Sequence, residues 1–175
     1  SGQQIGASRN QQDSSVRLSF ATPVAKGKGG RLTFLYDGRL TGQEDSPVFG
    51  IKFAAIGPDV SYLMYPARWF PVNDYTTDRF AAEMRITVPS GYRVIGSGQE
   101  RLDQAGDKNV YTFSFTRPSF PGSIAVVRGE PRRVTSSGVT TAFYLRETKA
   151  MADAYGDEIA KIMTFFTATF GLPFL

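Results

Sequence analysis

The chain has 175 residues, 41% of them hydrophobic and 13% aromatic, enough apolar side chain to bury one domain-sized core. Its net charge of +4 arises from 20 basic residues interleaved with 16 acids, so no basic stripe tracks a phosphate backbone and nucleic acid is excluded as a partner. Histidine and cysteine are both absent, which excludes a Ser-His-Asp triad, a Cys-His dyad, disulfides and any His-containing zinc site.

Eighteen Gly and 10 Pro beside 14 Phe and 8 Tyr mix turn formers with strand formers and predict a mainly β body. No run approaches the ~20 apolar residues that cross a bilayer, so no transmembrane segment is expected. The Ser/Gln/Asn-rich residues 1–15 predict a segment without regular structure. That start suits an exported protein after signal removal, with a cytoplasmic protein as the alternative.

The first strand is marked by Val16, Leu18 and Phe20, alternating with polar neighbours. Residues 21–30, with Pro23 and Gly27, Gly29 and Gly30, predict a loop; the glycines have no Walker spacing and no following helix, so they read as a turn. Leu32, Phe34, Tyr36 and Leu40 then alternate over 31–41 in the clearest strand pattern of the chain.

Further strands are predicted over 48–56, 60–65, 82–88 and 92–97, separated by Gly-Pro, Pro and Ser-Gly breaks. Segments 99–102 and 110–115 flank the turn-rich 103–107 and predict a hairpin, with Tyr111, Phe113 and Phe115 on one face. Asp103 and Asp107 lack the ligand number and spacing of a calcium loop and read as turn residues. Segments 123–128, 131–136 and 139–146 complete about ten strands, the density of an antiparallel β-sandwich.

After Arg146 the period changes. Met151, Tyr155, Ile159, Ile162, Met163, Phe166 and Phe170 recur at spacings of three and four and predict one C-terminal amphipathic helix. Gly171 suits a left-handed C-cap, and Pro173 prevents continuation. The apolar stripe requires a cover, and the apolar residues Leu172 to Leu175 predict that the natural chain continues.

The stretch Pro66-Ala67-Arg68-Trp69-Phe70-Pro71-Val72-Asn73-Asp74, followed by Ile86-Thr87-Val88-Pro89-Ser90-Gly91-Tyr92, resembles a signature of the aminopeptidase N-like zinc metallopeptidases. That signature runs A-R-x-x-F-P-x-x-D-E-P and then a strand ending V-P-x-x-Y; here Tyr75 and Thr76 stand at the Glu and Pro positions. Tyr36-Asp37-Gly38, Gly96-Ser97-Gly98 and Ala125-Val126-Val127-Arg128-Gly129 fall in the order the family requires. Residues 159–175, with Phe165-Phe166 and Phe170-Gly171-Leu172-Pro173-Phe174, are similar to the helix that opens the family's catalytic domain.

After the polar segment over 1–15, the resemblance implies an N-terminal saddle-like β-sandwich over 16–146 and the first helix of a catalytic-type domain over 147–175. It places zinc in that following domain and no cofactor, metal ligand or catalytic residue in this chain. The partners it implies are the chain's own downstream catalytic domain and the peptide substrate of the parent. Arg68, Trp69, Phe70, Pro71 and Asp74 become candidates for a structural motif beside the substrate cleft, and the helix stripe becomes the interdomain face. The alternative is a stand-alone β-sandwich module binding protein or carbohydrate through Tyr62, Tyr65, Trp69 and Tyr75. A carboxylate-only hydrolase using Asp74, Asp78 or Glu83 has no supporting motif.

Overall fold

The computed structural model describes residues 3–10, 12, 15–41, 53–64, 66, 69–73, 79–119, 121–144 and 149–171. The chain divides into two compact units, 1–38 and 39–175.

In the first unit, β1 (Gly6–Asn10) pairs antiparallel with β2 (Ser15–Ser19). The polar start was expected to lack regular structure; instead Ala7 faces Leu18 and Arg9 faces Val16 across a ladder. Residues 31–41, expected as the clearest strand, belong to no strand. Alternation marks a segment that can lie with one side on a core, but a strand also needs an edge to receive its N–H and C=O groups. Leu40 O accepts from Ile56 N at 2.8 Å, but no strand ladder runs along 31–41, and Leu35 and Tyr36 stay 94% and 63% exposed.

In the second unit, β3 (Ala54–Ile56), β4 (Val60–Leu63), β9 (Ile124–Arg128) and β6 (Tyr92–Ile95) form one antiparallel sheet in the order β3-β4-β9-β6. A second antiparallel sheet runs β5-β8-β7, from β5 (Phe80–Pro89), β8 (Lys108–Ser119) and β7 (Gln99–Ala105). Alternation dictates their facing: Phe80, Ala82, Met84, Ile86 and Val88 of β5 turn inward while Ala81, Glu83, Arg85 and Thr87 stay in solvent.

The buried cluster draws Val94 and Ile124 from the first sheet and Val88, Tyr111 and Phe113 from the second, so the two sheets pack face to face. Phe113, 1% exposed, lies at its centre; burying a side chain of that size contributes about 1.5–3 kcal/mol. This is the mainly β, antiparallel sandwich that the strand pattern predicts.

Two short links carry the chain between the sheets. Ser90-Gly91 joins β5 to β6, anchored where Ser90 N donates to Asp107 O at 2.8 Å. Gly96-Ser97-Gly98 returns the chain from β6 to β7. Gly98 sits at φ +100° with the place of a Cβ only 2.4 Å from Ser114 O, so glycine is required by backbone conformation and by space together. The expected β7–β8 hairpin is present, with the strands reaching inward until only Gly106 and Asp107 turn.

A second hairpin, β10 (Arg132–Ser136) with β11 (Val139–Phe143), turns through Ser137 and Gly138, both at positive φ as a type I′ turn demands. The predicted helix follows as α1 (Lys149–Phe170). Gly171, at φ 74°, closes it by donating its N–H to Thr167 O at 2.9 Å, the left-handed cap the sequence predicts. The helix lies on β10 and β11 through Ala152, Gly156 and Ala160, all buried, and Arg132 forms an ion pair with Asp153 across the same junction.

Candidate functional site

Of the five motif residues, Arg68 and Asp74 lie outside the described residues; Trp69, Phe70 and Pro71 form part of the connection between β4 and β5. The turn is built on Pro66, whose carbonyl accepts both Trp69 N–H and Phe70 N–H at 3.0 Å. Pro66 and Gly122 are buried, and a Cβ at Gly122 would lie 3.2 Å from both the Pro66 and Phe70 rings, so these segments interlock.

The aromatic side chains continue the contact outward. The Trp69 and Phe70 rings meet edge to face at 4.6 Å between centroids, and Phe70 meets Phe80 in the same way at 6.0 Å. Trp69 also packs on the core beside Met84 and Ile86, while Pro71 is exposed. Trp69, Phe70, Phe80 and Pro121 enclose, with the edge of β5 from Ala82 to Ile86, a mainly apolar cleft of ≈ 300 Å³. Trp69 Nε1 is buried with no hydrogen-bond partner among the described residues, and a buried donor left so costs about 1–3 kcal/mol.

Polar chemistry around the cleft is sparse. The cleft's charged lining residues are Glu83 and Arg85, both exposed on β5, and Asp74 and Asp78 lie outside the described residues. Among the described residues no group of three or more His, Cys, Asp or Glu is arranged to hold a metal ion. No helix among them is long and apolar enough to cross a membrane.

The charged network with the most partners lies on β6. Arg93 donates to Glu100 at 3.1 Å and to Tyr144 Oη at 3.1 Å. Partial burial alone would lower the pKa of Arg93; the Tyr144 hydrogen bond and the Glu100 charge outweigh it and raise it above its ordinary value. Arg128 stacks on the Tyr92 ring at 4.6 Å, and Tyr92 Oη donates to Pro58 O at 2.7 Å. These contacts tie β6, β9 and the β3–β4 turn together and serve the frame.

The helix stripe emerges divided. Met151, Tyr155, Ile162, Phe166 and Phe170 are exposed, Ile159 and Met163 are half-buried, and Phe165 joins the exposed side at 63%. Phe165, Phe166 and Phe170 stand ring against ring, with successive centroids 5.7 and 5.9 Å apart. The face that docks on the β10–β11 hairpin is the small-residue row Ala152, Gly156 and Ala160, recurring every four residues; that spacing is the signal in the sequence that identifies it.

Compared with protein-family models, curated proteins and solved structures, the chain matches none.

Proposed function

We propose that this chain is the non-catalytic N-terminal β-domain of an aminopeptidase N-like zinc metallopeptidase, packing on a following catalytic domain and walling one side of its substrate cleft. The observation that carries the reading is the open face of α1. The helix satisfies its own docking with Ala152, Gly156 and Ala160 and leaves Tyr155, Ile162, Phe165, Phe166 and Phe170 between 37% and 67% exposed. From Ile162 to Phe170 this helix carries no charge, so the face suits an apolar cover.

On this reading the zinc-activated water and its ligands belong to the next domain, and the present residues provide shape. The interlocked Trp69-Phe70-Pro71 turn, with Arg68 and Asp74 flanking it in sequence, is the segment assigned to the cleft wall. It is supported by the order of the sequence pieces and by the β-body-then-helix arrangement they accompany.

The test uses the product of the natural reading frame, assayed for bound zinc and for cleavage of aminoacyl and peptide substrates with and without chelator. Chelator-sensitive cleavage by the whole product, with none by residues 1–175, is expected. Replacing Phe165, Phe166 and Phe170 by Ser should lower the melting temperature of the whole product and barely move that of 1–175, because these side chains are open there. A product with neither zinc nor peptidase activity overturns the reading.

The Trp69 cleft favours a second reading, a self-standing sandwich that binds a sugar or a peptide. Its ≈ 300 Å³ volume and aromatic walls suit a small, flat ligand. Under that reading residues 1–175 alone bind, and the emission of Trp69, the only tryptophan, shifts with ligand.

A further inference from the structure

The free edge of β5 is complementary to itself. Among the described residues β5 ends the sheet β5-β8-β7 and pairs only with β8. Its outer side carries Glu83 and Arg85, two residues apart with Met84 between them, and neither forms an ion pair with a described residue. We infer that this edge binds the β5 edge of a second copy of the chain, antiparallel and centred on Met84, joining two three-stranded sheets into one of six.

The register follows from charge. An antiparallel two-fold pair about Met84 sets Glu83 opposite the second copy's Arg85 and Arg85 opposite its Glu83, two attractive pairs from one symmetry. Centring on Glu83 or on Arg85 sets like charges face to face. Centring on Met84 also keeps inward residues inward: Ala82 meets Ile86, and Met84 meets Met84. The second copy's inward row thereby approaches the cleft that opens along Ala82 to Ile86 under Trp69 and Phe70, which supplies apolar cover beyond the ladder.

The fold itself delimits the contact. A register irregularity between Phe80 and Ala82 ends regular pairing on one side, and Pro89, without an N–H, ends it on the other. The other edges of the two packed sheets lack this combination. β7 holds its own charges in check, Arg101 pairing with Asp103 at 3.0 Å, and all its side chains are exposed. β3 has three residues, and on β6 Arg93 is committed to Glu100 and Tyr144.

The experiment is sedimentation of the protein from its natural reading frame over a range of concentrations, with charge-swapped variants. Wild type should form a reversible dimer. Glu83→Arg alone and Arg85→Glu alone each set like charges opposite one another and should weaken the dimer roughly tenfold or more. The two single variants mixed in equal amounts should form a heterodimer, and the double swap Glu83→Arg/Arg85→Glu should restore the homodimer. Both positions are exposed, so the variants should melt with wild type, which separates lost association from lost folding. Wild type that stays monomeric, single variants that dimerise undiminished, a mixture that fails to associate, or a dimer abolished by Phe166→Ser/Phe170→Ser each overturns the inference.

Discussion

Gly156 of α1 lies so close to Val134 of β10 that a Cβ at position 156 would stand 2.5 Å from Val134 Cγ1 and 2.9 Å from Val134 Cβ. The helix therefore rests on the hairpin at a separation only glycine allows. Two effects oppose each other in Gly156→Ala. Helix propensity favours alanine by about 1 kcal/mol, while the overlap meets the stiff, branched base of valine and costs about 1–3 kcal/mol. The clash should win, with a net loss of up to about 2 kcal/mol in thermal or denaturant unfolding. Val134→Ala removes the 2.5 Å overlap with Cγ1 and keeps the 2.9 Å approach to Cβ, so in that background the loss should shrink, and a double-mutant cycle reads the coupling directly.

Gly98 and Gly138 share positive φ, at +100° and +77°, and differ in their surroundings. A Cβ at 138 meets nothing within 4 Å, so Gly138→Ala should cost only the left-handed strain of about 1–2 kcal/mol. A Cβ at 98 would overlap the backbone of β8, 2.4 Å from Ser114 O, which cannot yield without breaking the β7–β8 ladder. Gly98→Ala should cost more than 3 kcal/mol, seen as loss of the cooperative transition or of soluble protein. Equal losses at the two positions would place the whole effect in backbone strain.

The helix, its cap at Gly171 and the β7–β8 hairpin were legible in the sequence because each is written in local chemistry: a 3.6-residue period, a glycine after it, turn formers between alternating runs. Residues 31–41 show the limit of that reading. Leu32, Phe34 and Tyr36 have the alternation of a strand, yet pairing depends on an edge elsewhere in the chain, which no local pattern encodes.

The small-residue row that docks on the hairpin is harder to read for a related reason. Period analysis credits large apolar side chains, whereas close approach of a helix to a β-ribbon selects the smallest, so Ala160 is 1% exposed and Phe170 67%. At the candidate site the sequence singled out Trp69, Phe70 and Pro71 as a structural motif, and the structure places Trp69 and Phe70 in a turn built on Pro66. The share of Pro121 in the cleft, and the close fit of Gly122 to Pro66 and Phe70, came from a loop some fifty residues away and had no local signal.

Trp69 offers the last test, because its indole meets two opposed demands. The ring packs on the buried core cluster and on Phe70, yet its Nε1–H is buried with no acceptor among the described residues. Trp69→Phe keeps most of the apolar contact and removes the unsatisfied donor; a relief of about 1–3 kcal/mol then offsets the smaller ring's lost packing, and stability should stay within about 1 kcal/mol of wild type. Trp69→Ala removes the contact as well, and for a half-buried ring about 2–4 kcal/mol should be lost. Urea unfolding followed by circular dichroism measures both without relying on the lost tryptophan signal. If Phe proves as damaging as Ala, the indole N–H has an acceptor in solution, and the cleft is more polar than its described walls.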